Sequence, residues 1–413
     1  MRLFVRVAVS LLATTVAVSA QETYTFKYPA WYWEEGGVAP WSKGLIAAFE
    51  AANPHIKVEA TLIPNTIYEQ TITTQIAAGD VPDFMPAFTN MIAPMVDAGI
   101  LAPLDECIAG SSFKNRILPA VRFAEIDGHI YGVPMTMSPQ SLIYNKKLLD
   151  EAGVGVPTTV QEFVAAAKAV KQKTGQWGYV FPNNSDALFT YIISMQWLTG
   201  MGSDWSRADG TITANGPINV TVIGLIKSFL DEQLSPRGLD ANSVRTIFAE
   251  GRAAFMIDGP WVITQIANSN PGLLSEIGFD LVPTPTHAAV TGGAFFVVPE
   301  ASPHKADACK LLEIINDPVA QQRYLEDVLQ IPGTKVEPSA ELLAKYPWVG
   351  RMMEIAAKYP GGIGYAPPGY AVQAPEFRQI VADHLARIYA GEVSVQQGLD
   401  EAQVALEKWA ASL

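Results

Sequence analysis

Cysteine is almost absent: Cys107 and Cys309 are the only two in 413 residues. They stand too far apart in sequence for a Cys-x-x-Cys redox pair or a zinc-ligand spacing, so neither chemistry is expected. We read them as two separate buried small residues, although an oxidising compartment would permit a bridge. Histidine is scarce and scattered, with five in all (His55, His129, His287, His304, His384), so no metal or general-base cluster is expected from it. Basic charge is outnumbered: 28 Lys and Arg stand against 41 Asp and Glu, a net charge of −13. No Lys/Arg run offsets this, which argues against nucleic acid and anionic lipid as partners and disfavours a phosphorylated ligand. Internal repeats and low-complexity blocks are missing. Beyond the first twenty residues no apolar run is long enough to cross a bilayer.

Those first twenty residues are the one strongly biased segment. Arg2 and Arg6 open it, the stretch from Leu3 to Val18 is apolar with small or hydroxyl interruptions, and Val18-Ser19-Ala20 offers a small-residue cleavage site. We expect a signal peptide over residues 1–20, cleaved after Ala20, that exports the protein to the periplasm. A membrane anchor is the alternative, but the run is short for a span and lacks a basic stop-transfer flank. No cysteine sits at the cleavage point, which argues against a lipid tether. Without Arg2 and Arg6 the net charge falls to −15. About 390 residues remain, more than one core holds, since single cores stop growing near ~250–300 residues. Two lobes are expected. At 49% hydrophobic and 17% charged residues, the chain can bury a large core.

Strand and helix patterns alternate along the chain. Tyr24 to Tyr28 reads as a strand. Leu45, Ile46, Phe49 and Ala52 recur at helical spacing until Asn53-Pro54, and residues 56–62 alternate as a strand again. A helix over 68–78 ends at Gly79, and Val81-Pro-Asp-Phe84 leads into a short strand. Asp127-Gly128 is a turn signal before strands at 130–133 and 141–144. Thr158 or Thr159 can cap a helix whose Glu162 completes the box, with an apolar face over 163–170. Residues 187–198 suit a buried helix, and 218–230 and 244–249 are further helices. Short strands follow at 253–257, 277–282 and 294–298. From Lys305 the chain is mostly helical, broken at Pro332-Gly333 and by a glycine- and proline-rich stretch over 360–369. The pattern predicts α/β lobes, each a mainly parallel sheet flanked by helices.

Several segments, in order, carry a resemblance. They are Phe49-Glu-Ala-Ala-Asn-Pro54 with Ile56-Lys-Val58, Ala78-Gly-Asp-Val-Pro-Asp83, Gly99-Ile-Leu-Ala-Pro-Leu-Asp105 and Asp127-Gly-His-Ile-Tyr-Gly-Val-Pro134. Next come Tyr144-Asn-Lys146, Pro157-Thr-Thr159, Phe248-Ala-Glu-Gly-Arg-Ala-Ala-Phe-Met256, Gly259-Pro-Trp261, Gly292-Gly293 and Gly391-Glu-Val-Ser394. Each is weak alone; together they resemble the bacterial extracellular solute-binding proteins of the sugar-import class, the maltose-binding-protein-like group. The resemblance implies a two-lobed fold with three hinge crossings, placed near 133–138, 282–287 and 332–336. It divides the chain into a first lobe of 22–134 plus 287–333 and a second of 135–284 plus 336–413. It also implies a non-enzymatic, monomeric receptor that closes on a mono- or oligosaccharide and delivers it to the membrane subunits of an ABC permease.

A sugar presents hydroxyls around an apolar ring face, so planar aromatics and carboxylates or amides are its natural partners. Trp261 matches the family's stacking tryptophan after Gly-Pro, and Asp258 upstream is expected to accept from a hydroxyl; packing of Trp261 into the core is the alternative. In the run Trp31-Tyr32-Trp33-Glu34, strand alternation points Trp31 and Trp33 alike with Tyr32 opposed. Phe88 and Asn90 follow the third strand, with helix capping as the other reading of Asn90. Ser138 and Gln140 sit at the first crossing, and Asp186 in a loop that supplies an acid in relatives. Gly292 and Gly293 would admit a ligand close to backbone amides. Tyr365 and Tyr370 match the last ligand loop, where relatives often carry an arginine that this chain lacks.

Two other classes stay open. A secreted glycoside hydrolase would need two carboxylates across a similar cleft, but there is no hydrolase signature, no Gly-x-Ser-x-Gly, no His-Glu-x-x-His and no phosphate loop. No cofactor or metal is expected. The same fold could instead hold a polyamine, polyol, metal ion or glycerol phosphate; Glu34, Asp186 and Asp258 favour the first of these, while the loops named above have no Lys or Arg for a phosphate.

Overall fold

The structure is a computed structural model that describes residues 22–358 and 364–413. The leader and its cleavage site lie outside the described residues, as does 359–363 of the glycine- and proline-rich stretch. No helix among the described residues is long and apolar enough to cross a membrane.

Two lobes share the chain. The first contains a parallel pair, Tyr24–Ala30 and Ile56–Leu62, with Tyr24 opposite Ile56. Beside it lies an antiparallel sheet in the order Met85–Phe88, Thr291–Val297, Val133–Pro139. The second lobe holds a four-stranded sheet in the order Ile277–Asp280, Ser141–Asn145, Ala253–Asp258, Trp177–Tyr179. Each lobe has its own core. Phe26, Tyr28, Phe84, Val133 and Phe295 belong to the first, and Phe163, Tyr179, Trp197, Phe255 and Phe377 to the second. The break between them falls in the first passage: Met137 packs with the first core and Leu142 with the second.

Local chemistry explains the elements. The Thr159 hydroxyl accepts the Glu162 N–H at 3.2 Å, and the Glu162 carboxylate accepts the Thr158 N–H at 2.8 Å, so the expected capping box starts helix Val160–Thr174. Asp127 (φ 52°) and Gly128 (φ 81°) turn strand Glu125–Ile126 back onto His129–Ile130, the two positive φ values a primed hairpin turn requires. Helix Phe189–Gly200 is enclosed on almost every side, as its lack of a polar face predicts.

The sheets are not mainly parallel as expected. Among the described residues, parallel pairing occurs only between Tyr24–Ala30 and Ile56–Leu62 and between Trp177–Tyr179 and Ala253–Asp258. Alternation of strands and helices tells that strands are separated, not from which side the chain re-enters a sheet. Val133–Pro139 carries the chain into the second lobe and Thr291–Val297 brings it back, so the two pair antiparallel. Pro134 does not end this pairing. It faces Phe295 where the register shifts between Ala294 and Phe295, an irregularity that absorbs the missing N–H.

The second passage lies later than 282–287. That segment stays on the second lobe: Thr286 N–H donates to the Gly200 carbonyl, Gln196 Nε2 to the Ala288 carbonyl and Val290 N–H to Gln196 Oε1. The ladder with the first passage begins at Thr291, opposite Pro139. Pro283 and Pro285 mark irregular backbone, not the point of departure. The third passage runs against the first: Thr136 Oγ1 donates to the Ile331 carbonyl at 2.8 Å, and a Cβ on Gly333 would fall 1.6 Å from the Pro134 carbonyl oxygen.

The cysteines are not separate. Cys107, on helix Asp105–Ala109, is disulfide-bonded to Cys309, on helix Lys305–Ile315, with Cα atoms 5.7 Å apart. Both helices belong to the first lobe, which the chain visits twice, so a sequence separation of 202 residues is no measure of distance in space.

Candidate functional site

Between the lobes lies a cavity of about 710 Å³, within the ~300–1,000 Å³ usual for small-molecule sites. Its wall on the first lobe begins where the chain leaves strand Tyr24–Ala30 and turns. Trp31 stacks on Phe88 with ring centroids 4.1 Å apart and planes 23° apart, and Tyr68 braces both edge-on. Asn90, in the first turn of helix Thr89–Asp97, donates from Nδ2 to Glu69 Oε2 at 2.9 Å.

The facing wall is built at the end of strand Ala253–Asp258. The Trp261 indole N–H donates to Asp258 Oδ1, and its ring lies back over Gly259, where a Cβ would come within 2.2 Å. Glycine is therefore required to present this ring. Asp258 also accepts from Arg245 Nε at 2.7 Å, from Arg245 Nη2 at 3.3 Å and from the Gly259 N–H at 2.8 Å. Arg245 rises from helix Ala241–Ala249 and lies 4.9 Å over the Phe189 ring. The lobes touch at the mouth: a Cβ on Gly36 would fall 2.6 Å from Thr264 Cγ2 across the cleft. Burial pushes the Glu35 carboxyl up to about 7 against the opposing pull of Arg245.

The sequence model of the bacterial extracellular solute-binding protein family matches residues 33–322. The chain belongs to that family. A binding protein of Brucella abortus (strain 2308) is 27% identical over 307 residues, 72% of this chain and 74% of that one. A maltotriose-binding protein of Pyrococcus abyssi is 28% identical over 223 residues, 52% of this chain and 45% of its own length. The structure of maltose-bound MalE3 from T. maritima matches with a TM-score of 0.82 at 20% identity, over 93% of this chain and 99% of that one.

In this solute-binding protein the cleft brings together eight of the expected residues: Trp31, Glu34, Phe88, Asn90, Asp186, Trp261, Gly293 and Tyr365. Trp31 and Trp33 do not point alike. The strand ends at Ala30, so its alternation does not extend to them, and Trp33 turns into the first core and donates from Nε1 to the Tyr28 carbonyl at 3.1 Å. Asn90 is not a helix cap, since Phe88 holds that position. Asp186 lines the cleft and also accepts from the Leu188 and Phe189 N–H groups at 3.2 and 3.1 Å.

Four more expectations are corrected. Asp258 is behind the wall, its oxygens taken by Arg245, Trp261 and Gly259, so it positions Trp261 instead of meeting ligand. Ser138 is buried at the passage with its Oγ on the Pro139 carbonyl. Gly292 makes room for a side chain and not for a ligand: the Tyr365 ring fills the place of a Cβ, 1.8 Å from it, with the Tyr365 hydroxyl 2.9 Å from Gln140 Nε2. Tyr370 packs on Phe377 and Trp409 and donates to the Gly210 carbonyl at 2.6 Å.

Sequence reading missed Glu35, Glu69, Asp240, Asn242 and Arg245, all on the cleft wall. For Asn242 and Arg245 a signal existed. They stand three apart on helix Ala241–Ala249, beside the stripe of buried Val244 and Phe248. Arg245 adds a cation to the cleft that the loops lacked, but its charge is met by Asp258.

Proposed function

We propose that this protein is the substrate-binding component of an ABC importer and captures a mono- or oligosaccharide by hinge closure. One observation carries the reading: aromatic plates from both lobes, Trp31 on Phe88 and Trp261 opposite, line a single cleft whose remaining lining is rich in carboxylates and amides. Flat rings suit the apolar faces of pyranoses and polar side chains suit their hydroxyls. The maltotriose-binding relative and the maltose-bound neighbour support the same cargo class. Arg245, the cation on the described cleft lining, is already paired with Asp258, which weighs against glycerol phosphate.

The leader over 1–20 is removed after Ala20 and the mature protein works in the periplasm as a monomer without catalysis, cofactor or nucleic-acid partner. One lobe comprises residues 22–137 with the stretch from 291 to the third passage, the other 142–290 with the stretch after it, and the protein presents ligand to the permease membrane subunits. Titration calorimetry of the mature protein against a panel of mono- and oligosaccharides is the test. Micromolar or tighter binding without turnover is the expected result; hydrolysis of any of these sugars would replace the receptor with an enzyme.

A further inference from the structure

We propose that the sugar held in this cleft carries a protonated amine, so that the ligand is an amino sugar bound as a cation. The inference rests on the sugar-receptor reading and narrows it.

Five carboxylates line the cavity, those of Glu34, Glu35, Glu69, Asp186 and Asp240, against the single cation of Arg245. That cation is spent on Asp258. None of the five belongs to an ion pair among the described residues, whereas acids elsewhere on the surface are repeatedly paired. Glu69 is offset in part by the charge of Arg378 in the second lobe and by Asn90. Asp186 accepts the Leu188 and Phe189 N–H groups through Oδ1, and Asp240 caps helix Ala241–Ala249 through its own. The Glu34 and Glu35 carboxylates have no such commitment.

The cleft is thus an array of acceptors in search of donors. Asn90, only 3% exposed, adds an Oδ1 with no partner to the same wall. A neutral ligand that closed over Glu34 and Glu35 would strip water from charge and return only neutral hydroxyl donors, a poor exchange. An ammonium returns charge-assisted hydrogen bonds. The desolvation of Glu35 that raises its carboxyl is what such a group would relieve. A metal ion is the wrong cation: among the described residues no three His, Cys, Asp or Glu side chains are grouped to hold one. The aromatic plates of the two walls favour ring faces over a flexible polyamine.

Calorimetry at pH 7 and low salt, comparing glucosamine and its β-1,4-linked dimer and trimer with the N-acetylated and the all-hydroxyl counterparts, tests this directly. The free amine should bind about tenfold tighter than either counterpart, and the advantage should shrink in about 0.5 M salt. Glu34→Gln and Glu35→Gln should each pull the amine-to-hydroxyl ratio towards one. Equal or tighter binding of the neutral sugars overturns the amine and leaves the sugar receptor standing. An amine preference that survives the double Gln variant overturns its assignment to these carboxylates. Spermidine binding with no sugar bound, or silence from every sugar, overturns both readings.

Discussion

Trp261 owes its position to two neighbours, Asp258, which accepts its indole N–H, and Gly259, whose missing Cβ leaves space for the ring. Trp261→Ala should weaken ligand binding roughly 30-fold, about 2 kcal/mol, while the melting temperature, read by thermal shift, stays close to that of the parent. Gly259→Ala should mimic much of that loss with the indole still present, because the ring is pushed from the wall. Glu35 supplies a pH signature. Its carboxyl stands near 7 in the closed cleft against an ordinary value of 4.5, so closure over a neutral ligand takes up a proton. Affinity for such a ligand should therefore rise as pH falls from 8 through 7 and level off near 4.5, where the open form is protonated too. An ammonium ligand reverses the sign, since it needs Glu35 ionised, and calorimetry across that range distinguishes the two. The place of Trp261 on the cleft wall was legible from Gly-Pro-Trp at a strand end, and those of Asp186 and Asn90 only through the family resemblance. Trp33 was not, because a backbone bend one residue after Ala30 cancels the alternation that any strand-based reading must assume. Nor was Asp258: whether an acid faces ligand or braces a neighbour depends on Arg245, thirteen positions away on another element.

Helices and turns obeyed local rules, and those rules were legible. The Thr159–Glu162 box and the Asp127-Gly128 turn involve residues within a few positions of one another, so sequence spacing captures the whole interaction. Sheet direction was not legible, because it depends on the side from which a returning chain enters. The passages between lobes are the most demanding elements. Gly333 runs so close to Pro134 that any side chain would collide with a carbonyl oxygen, and the contact is backbone to backbone, with nothing flexible to yield. Gly333→Ala should lower stability by about 1–3 kcal/mol, measured as a fall in melting temperature, and should alter ligand affinity as well because the hinge itself is displaced.

The whole molecule is two lobes joined by three adjacent passages, with the lobes in contact across the cleft mouth at Gly36 and Thr264. Opening must break that contact, so small-angle scattering should record a smaller radius of gyration with bound ligand than without. The Cys107–Cys309 bridge ties together the two stretches of chain that make the first lobe. Replacing both cysteines by serine should cost on the order of 2–4 kcal/mol, seen in denaturant or thermal unfolding of the oxidised parent against the variant.

The same staple imposes an order of assembly. A polypeptide that emerges amino end first exposes Cys107 early, then spools out 202 further positions before its mate arrives. The entire four-stranded sheet of the other half is threaded into that interval. The half of the protein that starts first therefore finishes late, and an unpaired thiol must wait while about half of the 413 residues are made.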